Sequence, residues 1–86
     1  MARYRVEVSA TAERQIAKLH RPEQIRVLRA VRALANDPTP RGARKLTGYD
    51  DVWRVRVGVY RILYSRDHGR LLVLVLKVGH RRDVYH

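Results

Sequence analysis

The sequence predicts an α+β domain: a helical hairpin packed on one face of a mostly antiparallel four-stranded sheet, in the order β-α-α-β-β-β. Two patterns predict it. Residues 10–35 carry apolar side chains at helical spacing, with a break near position 20. Residues 52–78 carry alternating or continuous apolar runs separated by short turn sequences. With 86 residues there is room for one core, so residues 1–86 are expected to form a single domain.

Arg3 to Val8 alternates and sets Tyr4, Val6 and Val8 on one face, as a strand does. Ser9 is suited to cap a first helix. Ala12, Ile16 and Leu19 form that helix's apolar stripe, and it is expected to end near His20, whose cation would offset the helix dipole. Pro22 fits the first turn of a second helix, with Glu23 favourable beside it. Val27, Leu28, Val31, Leu34 and Ala35 make the second stripe, and Asn36-Asp37-Pro38 stops it. A connection of about three residues makes the pair an antiparallel hairpin. Thr39 to Arg44 reads as a loop, and a short strand is readable over Arg44 to Leu46.

Val52 to Val57 alternates with Trp53, Val55 and Val57 toward the core and Arg54 and Arg56 away from it. Gly58 marks a turn or bulge. Val59 to Arg66 follows, with Tyr60, Ile62 and Tyr64 on one face and Arg61, Leu63 and Ser65 on the other. Asp67-His68-Gly69-Arg70 predicts a hairpin turn with positive φ at the glycine. Leu71 to Val78 is almost continuously apolar, which predicts a central strand covered on both faces. Gly79 to His86 is a charged tail.

Composition narrows the function. Lysine and arginine total 19 against 8 acids, a formal charge of +11, and sixteen of the cations are arginine. Guanidinium groups bind phosphate bidentately and stack on bases. A charge this large also repels itself in a compact chain, so a polyanionic partner is expected. There is no cysteine, hence no disulfide framework or thiolate metal site. The longest apolar run, Leu71 to Leu76, is far short of the roughly 20 residues that span a bilayer. The first residues lack the apolar stretch of a signal peptide, so a cytoplasmic location without membrane contact is expected. A secreted mini-protein, a membrane protein, a zinc ribbon and a multidomain enzyme are not expected.

Arg54 and Arg56 share a strand face, and a hairpin can bring Arg61 to within about 5 Å of them. Arg81 and Tyr85 follow the last strand. Four guanidiniums and a phenol can thus converge on one concave surface. A solvated basic face explains any one of them, whereas the set points to an anionic ligand. Arg26, Arg29 and Arg32 on the second helix either bind phosphate or form its wet face. His68 lies in a turn, and Asp50-Asp51 reads as a turn rather than a metal site. His80 and His86 lack partners at metal spacing, and His80 is a candidate proton carrier because imidazole titrates near neutral pH. No paired carboxylates, Ser-His-Asp set or glycine-rich phosphate loop occurs, and no cofactor is expected.

Three stretches resemble the RelE toxins of the RelE/ParE superfamily: Lys45-Leu46-Thr47-Gly48-Tyr49, the run from Val52 to Tyr64, and Val78-Gly79-His80-Arg81-Arg82-Asp83-Val84-Tyr85. The likeness covers nearly the whole chain. It implies the toxin of a type II toxin–antitoxin pair that cleaves messenger RNA in the ribosomal A site without metal. The 2′-hydroxyl would attack the adjacent phosphate and the 5′-hydroxyl leave. It also implies an acidic antitoxin that wraps the toxin, and operator DNA contacted only through that complex. Carried onto this sequence, Arg54, Arg56, Arg61, Arg81 and Tyr85 are the catalytic set. Lys45 and Arg82 join Arg26, Arg29 and Arg32 as expected nucleic-acid contacts.

The chain departs from the resemblance in having arginine at 54 and 56, where well-known members often have lysine. Arginine stays protonated at any working pH and cannot readily be a general base. A base would have to be Tyr85 or His80, or the site works by orienting the 2′-hydroxyl and stabilising charge. Two other readings explain less. A ParE-type toxin that poisons gyrase shares the fold but generally lacks the basic-plus-tyrosine set. A nucleic-acid-binding module without activity explains the charge but not the placement of Arg61, Arg81 and Tyr85.

Overall fold

A computed structural model describes residues 3–80 of the chain. Among them the elements are β1 (Arg5–Val8), α1 (Ala10–Ala17), α2 (Arg21–Ala33), β2 (Arg44–Lys45), β3 (Val52–Val57), β4 (Tyr60–Asp67) and β5 (Leu72–His80). The strands form one sheet in the order β1-β5-β4-β3-β2, with β1 parallel to β5 and the other pairs antiparallel. The class is the expected α+β. The sheet has five strands rather than four, because Arg44 and Lys45 pair with Arg54 and Trp53.

Ser9 caps α1 as its type predicts, its hydroxyl accepting from the Ala12 amide at 3.0 Å. The same hydroxyl donates to the Leu76 carbonyl, tying the helix start to β5. The Gln15 side chain accepts the Val78 amide at 2.7 Å. It thus serves an amide of β5 beyond the four residues that β1 pairs. α1 stops at Ala17, three residues short of His20. His20 instead holds the N-cap position of α2 without a side-chain cap bond, so it does not offset a helix C-terminus. The turn at Lys18–Leu19 is tight, and Pro22 favours starting the next helix at once.

One layer of helix covers one face of the sheet. Ala12, Ile16, Val27, Val31 and Leu34 meet Ile62, Tyr64, Val73, Val75 and Val78, with Tyr4, Val6, Val8, Trp53, Val55, Val57 and Tyr60 around them. The buried Tyr64 donates to the Pro38 carbonyl at 2.8 Å, and burial pushes its phenol up to about 12. β5 is central by pairing, and among the described residues only its helix-side face is covered by a second layer. On its open face Leu72 and Leu74 are half-buried and Lys77 is exposed. Opposite Leu63 and Tyr64 the β5 register slips by one residue, skipping Leu76. The core set therefore runs Val73, Val75, Val78, and Lys77 turns to the open face.

Two turns differ in their chemistry. Gly58 takes φ of 61° as the first of the two residues joining β3 to β4, the position where such a turn needs glycine. In the β4–β5 turn the positive φ falls on Leu71, at 51°, and not on Gly69. The Asp67 carboxylate accepts the Arg70 amide within that turn, which fixes the loop before Leu71. The Tyr4 hydroxyl bonds His68 Nδ1 there, joining the chain start to the turn.

Candidate functional site

The open face of the sheet is built by strand alternation. In β3, Arg54 and Arg56 point away from the helices, and in β4 Arg61, Leu63 and Ser65 do the same. Register brings these residues together. Arg56 stands opposite Arg61, and Arg61 opposite Gly79. The next open-face row is Arg44, Arg54, Leu63 and Lys77 across four strands. Gly79 presents no side chain to the Arg61 row. Arg56 is exposed, while Arg54 and Arg61 are half-buried.

Charge on this face is divided. Among the described residues its carboxylates are Glu7 and Asp67, bound to Arg5 at 3.1 Å and to Arg70 at 3.7 Å. Both lie toward the end opposite the Gly58 turn. The end that holds Arg54, Arg56, Arg61 and Lys77 carries only cations among the described residues of that face. Like charges grouped in this way attract an anion.

Of the residues the sequence singled out, Arg54, Arg56 and Arg61 share this end. Arg81, Arg82 and Tyr85 lie outside the described residues; the chain reaches Arg81 directly from His80, which pairs with Tyr60. His80 is not on the open face. Its ring packs edge-on against Tyr60 at 6.1 Å, and both stand on the helix side of the sheet. Lys45 pairs with Trp53 and so lies on the helix side of the edge strand, away from the arginines. Arg26, Arg29 and Arg32 are exposed on α2, in the layer behind the sheet.

Sequence reasoning missed Arg44 and Lys77. Arg44 joins the face only through its pairing with Arg54, which alternation within one strand cannot reveal. Lys77 joins it through the slip at Leu76; its one signal was a charge inside an apolar run.

Asp51 is committed elsewhere. Its Oδ1 accepts from Trp53 Nε1 at 2.9 Å and from Arg66 at 2.6 and 3.2 Å, and the Arg66 guanidinium lies 4.2 Å over the Trp53 ring. The Arg66 hydrogen bond holds the Asp51 carboxyl below its ordinary value, with the Trp53 bond adding to it against burial. Asp51 and Arg66 thus clasp the loop before β3 to the sheet. Among the described residues no group of three or more His, Cys, Asp or Glu could hold a metal ion.

Residues 6–85 match the family model of the ParE toxin of type II toxin–antitoxin systems. The chain belongs to this family. It is 34% identical over 90 residues to Toxin RelG of Mycobacterium tuberculosis, covering 95% of each chain. The toxin–antitoxin complex RelBE2 of that organism contains a chain with TM-score 0.84 and 30% identity, covering 96% of this chain and 97% of that one. A chain of the archaeal RelE–RelB complex of Pyrococcus horikoshii matches with TM-score 0.83 and 28% identity, covering 98% and 100%. The fold alone is shared with an Escherichia coli RelE mutant in the free state, at TM-score 0.76 and 21% identity over 93% of this chain and 84% of that one. This protein is therefore a toxin of a type II toxin–antitoxin system in the RelE/ParE superfamily. No helix among its described residues is long and apolar enough to cross a membrane.

Proposed function

We propose that this toxin is a ribosome-dependent, metal-independent endoribonuclease that cleaves messenger RNA in the A site. The 2′-hydroxyl attacks the adjacent phosphate, a cyclic phosphate forms, and the 5′-hydroxyl leaves. The observation that carries the proposal is the pairing of Arg56 with Arg61 on an end of the open face without carboxylates among the described residues. Guanidiniums fixed on strands can neutralise the phosphate and the extra charge of its pentacovalent transition state. Arg61 and Arg81 contact the scissile phosphate, and Arg54 and Arg56 hold its neighbours. Tyr85 stacks on a base or moves a proton.

The toxin acts in the cytoplasm and is silenced by a cognate acidic antitoxin, and operator DNA is met only by the complex of the two. The RelBE2 and Pyrococcus RelE–RelB relatives were solved with their antitoxins, which supports such a partner here. Gyrase poisoning is the second reading, favoured by the ParE identity of the matching family model. Ribosome profiling after induction separates the two. Message cut within A-site codons supports the nuclease; double-strand DNA breaks with intact message overturn it in favour of gyrase.

A further inference from the structure

β5 carries one charge inside its apolar run. Lys77 is the only charged residue between Leu71 and Val78, and one of three lysines beside sixteen arginines. Its escape from the core is a feature of the backbone. Nine residues of β5 run beside eight of β4, and the extra one is Leu76. With regular pairing onward from Tyr64 and Val75, Lys77 would stand opposite Ile62, which is fully buried. The slip instead sets it opposite Leu63, exposed, on the open face. An apolar residue at 77 in a regular strand would cost the fold less, since a bulge leaves one residue out of the ladder and lysine is depleted from strands. Bulges that re-aim a side chain are over-represented beside active sites.

The side chain is re-aimed at the cationic end. Arg61 pairs with Gly79, so Lys77, two residues earlier on the same face, is its diagonal neighbour. Diagonal neighbours lie about 7–8 Å apart, within reach of long side chains. In its own row, Leu63 separates Lys77 from Arg54, with Arg44 beyond. Lys77 forms no ion pair among the described residues. Its row and the Arg61 row are two residues apart along the strands, about 7 Å. An extended single strand of RNA can match that step from one phosphate to the next.

We propose that Lys77 is a further message-binding residue, its ammonium holding the phosphodiester next to the one at Arg61. The inference rests on the proposed nuclease reading, which puts the scissile phosphate at Arg61, and extends it to a residue outside the three stretches that resemble RelE toxins. An ammonium is a point charge on a flexible stem. It suits a phosphate that must be held but not fixed in one orientation, as the scissile one must be. A single strand of RNA is favoured over an acidic peptide because that same reading leads the message across Arg61, and Lys77 is the next cation along the face. Such a contact binds ground state and transition state alike, so it lowers the concentration needed for half-saturation and leaves the chemical step unchanged.

The full chain, made by cell-free synthesis, is assayed in two ways. Anisotropy titrations with a fluorescent single-stranded RNA of arbitrary sequence, over a range of KCl, read the phosphates held. Single-turnover cleavage of ribosome-bound message, over a range of toxin concentrations, reads half-saturation and plateau rate. Lys77→Met removes the charge and keeps the stem, and Lys77→Arg keeps the charge. Lys18→Met removes one charge at the end of α1, off the open face. Each phosphate contact contributes about 0.7 to the slope of log K against log salt on a single strand. Lys77→Met should lose about 0.7 in slope and need about fivefold more toxin for half-saturation, at a plateau rate within about twofold of wild type. Lys77→Arg and Lys18→Met should keep the wild-type values. A Lys77→Met protein, folded by circular dichroism, with unchanged slope and half-saturation overturns the proposal. So does one whose plateau rate falls at unchanged half-saturation, which puts the lysine in the chemistry. So does one that loses affinity for polyglutamate and not for RNA, which assigns it to an acidic partner. A wild-type toxin that cuts no message, with the slope still lost in Lys77→Met, overturns the proposed function and leaves this inference standing.

Discussion

Arg56 and Arg61 occupy the same rung of the β3–β4 ladder, so two guanidiniums leave the open face as direct cross-strand neighbours. Like charges in that relation weaken a sheet by roughly 0.2–1 kcal/mol. A fold keeps such a pair only where something outside stability requires it. Arg56→Gln should accordingly raise stability to urea by up to about 1 kcal/mol. It should also lower cleavage of ribosome-bound message by about 10²-fold or more, as loss of a preorganised charge donor does. A variant that lost stability and kept activity would put the arginines in a structural role.

The pairing depends on the two-residue turn at Gly58. Its φ is 61° and a Cβ there would meet nothing within 4 Å, so the cost of alanine is backbone strain alone, about 1–2 kcal/mol. Gly69 lacks a positive φ, and its Cβ would sit 3.5 Å from the Asp67 carboxylate, an ordinary contact. Thermal melts should therefore show Gly58→Ala clearly destabilised and Gly69→Ala within about 0.5 kcal/mol of wild type, the usual range for a neutral surface change.

The contrast marks how far the sequence could be read. Helical spacing, alternation in β3 and the Ser9 cap are local signals, and they located the elements, the core and the open-face position of Arg54 and Arg56. Which residue of a turn carries positive φ depends on how the strands on both sides register, so Gly69 was indistinguishable from Gly58. The slip at Leu76 is a relation between β4 and β5, invisible in the apolar run that contains it. It put Lys77 on the open face and His80 on the helix side. The short strand readable over Arg44 to Leu46 is the fifth of the sheet, over Arg44 and Lys45, and its place at the edge comes from its pairing with β3.

The clasp of Asp51 and Arg66 should show in acid. The folded carboxyl titrates below its ordinary 3.8, chiefly through the Arg66 hydrogen bond. A lowered carboxylate stabilises the fold above its unfolded value and loses that contribution as pH falls through the folded one. Asp51→Asn keeps an acceptor for Trp53 and tolerates the φ of 48° at this position. It should cost about 1 kcal/mol at neutral pH, a modest figure because the Asp51 side chain is 33% exposed. Urea melts of the two proteins should converge as pH drops below about 4, where the wild-type carboxyl is losing its charge. A constant gap down to pH 2.5 would show that the ionised clasp contributes nothing.

In the proposed cleavage the proton on the attacking 2′-hydroxyl needs a destination, and the arginines do not provide one because they remain protonated. His80 has a suitable ring, but that ring packs on Tyr60 on the helix side, whereas Arg56 and Arg61 leave the other side of the sheet. Tyr85, five residues further along the chain, is the remaining candidate. His80→Gln should therefore cleave ribosome-bound message within about twofold of wild type, far inside the 10²–10⁴ that a proton-transfer group contributes. Tyr85→Phe keeps the ring for stacking and removes the phenolic proton, and its single-turnover rate should fall by about 10²-fold or more. The two variants must be read together. A slow His80→Gln with a normal Tyr85→Phe exchanges their roles. Normal rates in both leave the arginines to act through charge and orientation alone, with the proton passing to solvent or to the RNA itself.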